Sequence, residues 1–244
     1  MSQSSKSEAQ HARETWRVSR KRRSTLTAVL STLAFAVIAW LLLVNTPGWS
    51  RVQTSFFDWD TAVKAFPRVL DGLWLNLRVL VFASISVLVV ALLLALATTL
   101  RNPVLTPIRL LAKGYIDLFR GTPLIITLYL VGFGIPGLRI EGLGRIAPEI
   151  LGTIALTLTY SAYVAEVFRA GIESIHPSQR LAARSLGLSY SQSVRLVVLP
   201  QAVRKVVPPL MNDFVALQKD VGLISVLGAV DAVRGAQIEV AHFA

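Results

Sequence analysis

Five stretches of the chain are rich in apolar residues and nearly free of charge. Thr25 to Val44 is a run of twenty residues without a charged side chain. As a helix it would measure about 30 Å, the thickness of a bilayer's hydrocarbon core. Val79 to Leu100 is a second run, of twenty-two residues, built largely from Leu, Val and Ala. Gly121 to Leu138 is a third, interrupted by Pro123, Gly132, Gly134 and Pro136. Ile150 to Ala165 is shorter and carries Thr153, Thr157, Thr159, Tyr160, Ser161 and Tyr163. A fifth is broken: Val206 to Leu217 holds Pro208, Pro209 and Asp213, and Lys219-Asp220 separates it from Val221–Val230. In lipid every backbone N–H and C=O needs an internal partner, and runs of this length meet that need as helices, being too long for barrel strands. The pattern predicts an all-α, polytopic transmembrane helical bundle with five spans.

Composition sharpens this reading. Of 244 residues 53% are hydrophobic and 16% charged, where a soluble domain carries about 25% charged. A net charge of +11 would by itself point to nucleic acid, but its distribution argues otherwise. Seven basic side chains (Lys6, Arg13, Arg17, Arg20, Lys21, Arg22, Arg23) against Glu8 and Glu14 crowd the tail that precedes Ser24. The rest is spread too thinly to build a nucleic-acid face. That basic flank before Thr25 resembles a signal peptide's, yet the apolar core exceeds the usual ~7–15 residues, and Asn45-Thr46-Pro47-Gly48 is not a small-residue cleavage site. The segment reads as a retained membrane helix. With no cysteine, disulfides, thiolate nucleophiles and cysteine-ligated metals are excluded.

Basic residues also orient the bundle. The amino-terminal tail, the loop from Arg101 through Arg109 to Lys113, and Arg180, Arg184, Arg195 and Arg204 are positive; Arg51, Asp58, Asp60 and Lys64, and Arg139, Glu141 and Arg145, nearly balance. The positive-inside rule then predicts a cytoplasmic amino terminus, with anionic lipid headgroups as the natural partners of the charge.

One segment exceeds what a simple anchor needs. Residues 166–205 form a cytoplasmic stretch too long for an ordinary helix connection. Pro177-Ser178 predicts a helix start with Ser178 as N-cap, and Gly187 its left-handed stop. Ser189 with Gln192 three residues on predicts a capping box for a second helix, which Pro200 ends or bends. This is either a connecting hairpin or a rigid docking element.

Here the residues resemble a known family. Leu181-Ala182-Ala183, three residues, Gly187, nine residues, then Val197-Val198-Leu199-Pro200 is similar to the EAA loop of bacterial ABC-importer permeases, E-A-A-x3-G-x9-I-x-L-P. Gly72–Leu77, Tyr115–Leu124, Tyr163, Glu166, Arg169, Gly171, Glu173, Ser174 and Ile175, and Pro208-Pro209-Leu210, Asn212 and Lys219-Asp220 resemble the polar amino-acid (histidine/glutamine) branch. The likeness runs over roughly residues 66 to 230. Leu181 stands where the family has Glu, Ser178 where it has Gly, and Val221-Gly222 where it has Thr-Ser. Outside the likeness lie a basic tail at 1–24, an extra helix at 25–44 and an external linker at 45–65; the resemblance implies a permease domain at 66–244, with a sixth span expected after Ala244.

The same resemblance implies the inner-membrane permease of a binding-protein-dependent importer of polar amino acids, not itself an enzyme. Its partners would be an ATPase subunit carrying ATP-Mg, a second permease subunit and an extracytoplasmic amino-acid-binding protein. Coupling to the ATPase would fall to Ala182, Ala183, Gly187, Leu199 and Pro200, supported by Arg169 and Glu173. The chain contains no phosphate-cradling G-x-x-x-x-G-K-[ST], so no cofactor is expected on it. His11, His176 and His242 lack metal-ligand spacing, and no catalytic residue or metal site is expected. Polar groups at membrane depth mark pathways or interhelical bonds; Thr157, Tyr160, Ser161, Asn212 and Asp213 are the candidates. An ion-coupled secondary carrier and a membrane scaffold without transport are the alternatives. The carrier commonly shows internal repeats, and none is visible.

Overall fold

The computed structural model describes residues 8–99, 102–141 and 145–243. Lys6, Leu100, Arg101 and Ala244, named above, lie outside them. The chain divides into two compact units, split between Ala62 and Val63. The first holds α1 (Glu8–Val44) and α2 (Trp49–Phe56), with the rings of Trp40 and Trp49 meeting edge to face at 6.1 Å across the turn between them. From Leu26 to Val44 the large apolar side chains of α1 are exposed, as suits a helix whose solvent is lipid.

Helix α3 (Trp59–Thr99), all but its first turn in the second unit, is 41 residues long, about 60 Å, and overshoots a bilayer. Its buried stripe, Val79, Ala83, Val87, Ala91 and Ala95, repeats every fourth residue with mostly small side chains. That spacing lets neighbouring helices approach closely. A 3₁₀ turn (Pro103–Leu105), capped by the Asn102 side chain accepting from the Val104 N–H at 3.0 Å, leads into α4 (Thr106–Gly121).

The predicted third span departs from expectation. Residues 121–138 are not one straight segment: the helix ends at Gly121, turns at Thr122-Pro123, and resumes as α5 (Leu124–Tyr129), a π-helical turn (Leu130–Gly134) and α6 (Ile135–Gly137). The two arms meet at 107°. Pro123 has no N–H to continue the ladder and biases Thr122 to extended geometry, observed at φ −101°, ψ 126°. Gly132 serves packing: a Cβ there would lie 2.2 Å from Leu227 Cδ2.

The fourth span is longer than its apolar run. Helix α7 (Pro148–Glu173) is the centre of the unit, packed by α4, α5 and α10. Beyond it come α8 (Pro177–Ser185) and α9 (Tyr190–Ser193), a π-helical turn (Val194–Val198), α10 (Leu199–Asp220), a 3₁₀ segment (Val221–Leu227) and α11 (Ala232–Phe243). The fifth span is broken, but not at its prolines. Pro208 and Pro209 sit inside α10, removing two backbone donors without ending the helix. The break falls at Gly228, whose φ is +90°, and α11 leaves at 51°. Among the described residues, three helices are long and apolar enough to cross a membrane alone, or up to five when each bent pair counts as one span, which is the predicted number.

Candidate functional site: the α8–α9 hairpin and a cavity on α10

The turn between α8 and α9 is fastened at both ends by hydrogen bonds among its own residues, backbone to backbone at the first and backbone to side chain at the second. Gly187 adopts φ +85°, with its N–H donating to Arg184 O at 3.0 Å and the Leu188 N–H donating to Ala183 O at 3.2 Å. This pair of bonds is the Schellman stop. The predicted capping box is present: Gln192 N–H donates to Ser189 Oγ at 3.2 Å, and Ser189 N–H donates to Gln192 Oε1 at 2.9 Å. Losing such a cap costs about 1 kcal/mol, roughly a fivefold shift in a local equilibrium. Ser189→Ala is therefore expected to raise hydrogen exchange at the Gln192 amide about fivefold; unchanged exchange would show the box to be idle.

Two local expectations need correction. The cap of α8 is His176, not Ser178. Its Nδ1 accepts from the Ser178 N–H at 3.2 Å, and Ser178 Oγ lies 2.7 Å from the same nitrogen. With Pro177 filling the first helical position, the acceptor comes from the residue before the proline. Nor does Pro200 end the second helix. The Leu199 N–H reaches back to Val194 O across the π turn, widening the ladder just ahead of the proline, and the chain stays helical from Tyr190 to Leu227.

The hairpin is braced on one side and open on the other. Ala183, Ile175, Val198 and Ala202 are buried, the last three packed together. Lys205 Nζ donates to Ser174 O at 2.9 Å, and a Cβ on Gly171 would lie 2.1 Å from Val206; α10 is seated directly on α7. Outward, Leu181 is 65% exposed, Leu186 82% and Tyr190 69%; Ala182, Gly187, Leu199 and Pro200 are exposed as well. Pro177, Arg180, Leu181, Arg184, Tyr190, Ser193 and Val194 line a groove of about 230 Å³. Arg180 Nε and Ser193 Oγ are shut from solvent there without a partner. On α7, Arg169 pairs with both Glu166 and Glu173, so the two predicted supports form one ion cluster.

The pathway candidates separate. Thr157 Oγ1 donates to Thr153 O at 2.8 Å and Ser161 Oγ lies 2.8 Å from Tyr115 Oη; both hydroxyls are used within the bundle. Asn212 is exposed. Tyr160 and Asp213, by contrast, line a cavity of about 150 Å³ with Ser84, Val87, Leu88, Val164, Leu210, Met211, Phe214 and Leu217. The Tyr160 hydroxyl donates to Asp220 Oδ2 at 2.6 Å, joining α7 to the end of α10. Ser84 was not among the predicted residues; its hydroxyl is one of several in the run, with Ser86, Thr98 and Thr99, and nothing in the sequence singles it out.

Residues 88–239 match the family described as binding-protein-dependent transport system inner membrane component. Among curated proteins, the glutamate/aspartate import permease protein GltK of Escherichia coli is 34% identical over 202 residues, covering 77% of this chain and 88% of GltK. The arginine transport system permease protein ArtQ of Bacillus subtilis is 33% identical over 180 residues, covering 73% of this chain and 79% of ArtQ. A solved structure described as an amino acid ABC transporter with histidines superposes with a TM-score of 0.67 at 35% identity, covering 74% of this chain and 81% of that one.

Proposed function

We propose, from the premise that this chain belongs to the family of binding-protein-dependent transport system inner membrane components, that it is the permease subunit of an ABC importer for polar amino acids. The observation that carries the reading is mechanical. The α8–α9 hairpin is a rigid, outward-facing element, and the helix leaving it runs without a break into α10, which carries Asp213 beside the cavity. A push on the hairpin is delivered to a pathway helix. A cleft of an ATPase subunit would receive α8 through Ala182, Leu186 and Gly187. Arg169 and Glu173, on the helix that braces the hairpin, would hold its base.

In this reading ATP-Mg is bound and hydrolysed by the partner, a second permease subunit completes the path, and an extracytoplasmic binding protein delivers the amino acid. The amino terminus lies in the cytoplasm, residues 25–44 add a helix before the permease domain at 66–244, and coupling is confined to 166–205. The amino-acid class follows the names of the relatives.

The test is reconstitution with the ATPase and binding protein in proteoliposomes. Labelled amino acid is expected to accumulate only with ATP, indifferent to sodium or proton gradients. Accumulation driven by an ion gradient in the absence of ATP would replace the importer with a secondary carrier.

A further inference from the structure

Between the end of α1 and the start of α3 the chain gathers aromatic side chains that its own fold leaves uncovered. Trp40 is 60% exposed, Phe56 79%, Phe57 71% and Trp59 78%. Trp49 is partly covered, where its ring meets that of Trp40. Helix α2 gives the cluster a direction. At about 100° per residue, Trp49, Val52 and Phe56 fall on one side, with Arg51 and Thr54 opposite. None of its residues is buried, so the apolar side has no cover within the chain. Eight residues without a side-chain cap at the first turn do not hold a helix in water by themselves; such a helix is steadied by burying its apolar side.

The cover that fits is lipid. The exposed apolar surface of α1 runs from Leu26 to Val44, and only Asn45-Thr46-Pro47-Gly48 separates it from α2. The Trp40–Trp49 ring contact at 6.1 Å keeps α2 at the end of that surface, at the level where the hydrocarbon core gives way to headgroups. Tryptophan concentrates at this level because its ring is apolar while its N–H stays hydrated. A helix with Trp and Phe on one side and polar groups on the other settles about 5–10 Å into the boundary between headgroups and acyl chains.

We propose that α2 lies along the outer surface of the membrane, with Trp49, Val52 and Phe56 sunk among the lipids and Arg51 and Thr54 turned to water. Residues 45–58 are then a membrane-seated anchor for the extra helix and not a free linker. The choice of leaflet rests on the cytoplasmic amino terminus proposed above; the seat in lipid does not.

The chain has no cysteine, so a single thiol can be placed in turn at each residue of α2 in the full-length protein. Each is spin-labelled and read in vesicles of phosphatidylethanolamine and phosphatidylglycerol. Collisions with oxygen, which dissolves in lipid, are compared with collisions with a water-soluble nickel chelate. The oxygen-to-nickel ratio is expected to be severalfold higher for Trp49→Cys, Val52→Cys and Phe56→Cys than for Arg51→Cys and Thr54→Cys. Equal nickel access along the whole of α2 would overturn the proposal and restore a free linker. An apolar side that meets water in vesicles and is shielded only when the binding protein is added would also overturn it, in favour of a protein-docking face. None of these side chains is buried, so if one variant fails to fold, the remaining positions still show the helical period or its absence. The leaflet is read separately. In intact cells a membrane-impermeant thiol reagent is expected to block Arg51→Cys. Blocking only after the cells are broken would overturn the outer-surface assignment together with the cytoplasmic amino terminus, and leave the importer reading standing.

Discussion

Replacing Gly72 with alanine is expected to lower the melting temperature of the detergent-solubilised protein by roughly 6–12 °C, and replacing it with leucine to remove the folded protein from the membrane. A Cβ at residue 72 would stand 2.3 Å from the carbonyl carbon of Asp231, 2.4 Å from Ala232 N and 2.5 Å from Asp231 O. All three are backbone atoms, so no rotamer change relieves the clash, and α11 must be pushed away from α3. The start of α11 has little slack. Asp231 is fully buried, its Oδ1 accepts from the Arg234 N–H at 2.8 Å, and Arg68 pairs with Glu239 further along the helix. Overpacking costs about 1–3 kcal/mol when side chains can yield, and more when they cannot. At about 2–4 °C per kcal/mol for a protein of this size, a cost of about 3 kcal/mol gives the stated shift. Gly114→Ala is the control. Nothing lies within 4 Å of its Cβ, and it sits inside α4, where alanine is worth about 0.5–1 kcal/mol over glycine. The melting temperature should hold or rise. A Gly72→Ala protein that melts with its parent would mean that α11 does not seat on α3 as described.

What could be read from the chain before the fold was known divides along the range of the interaction. Ser189 with Gln192 announces its capping box because the two partners are near neighbours in sequence. Gly187 announces a left-handed stop because few other residues accept that conformation cheaply. The His176 cap is also local, but a preceding-proline acceptor competes with the commoner serine cap and loses on frequency alone. The π turn at Val194–Val198 leaves no composition mark, since valine and leucine serve equally in α-helix, so the sequence alone does not decide whether Pro200 ends the helix or bends it. Pro123 was legible as an interruption, but the sharpness of the bend it starts depends on where α5 finds burial against α7. Asp213 could be named from its charge at membrane depth. Its cavity could not, because Ser84 stands on a helix far earlier in the chain and Asp220 meets Tyr160 across sixty residues. The small-residue stripe on α3 was visible as richness in alanine; its period became meaningful only when the partners were known.

Gly187→Glu is expected to abolish ATP-driven uptake while leaving the protein in the membrane at the parental level. The position combines two demands. Its φ of +85° costs a residue with a Cβ about 1–2 kcal/mol, which strains the turn between α8 and α9 without unfolding a bundle whose core lies elsewhere. Its Cβ direction is open, with nothing within 4 Å, so the added side chain stands free of the bundle on a hairpin where Leu181, Ala182 and Leu186 are exposed as well. If that exposed surface enters an ATPase cleft, a glutamate there must shed its water with no partner supplied, a penalty of several kcal/mol. With each factor of ten in affinity worth about 1.4 kcal/mol, docking falls by orders of magnitude. A series separates strain from docking. Asn tolerates the left-handed conformation and is neutral, so Gly187→Asn should keep uptake within about threefold of the parent. Gly187→Ala carries strain without charge and should fall between the two. Stimulation of the partner's ATP hydrolysis should follow the same order. If Gly187→Glu transports and stimulates hydrolysis normally, this face is not where the ATPase docks, and the outward surface of α8 is only the underside of a connecting hairpin.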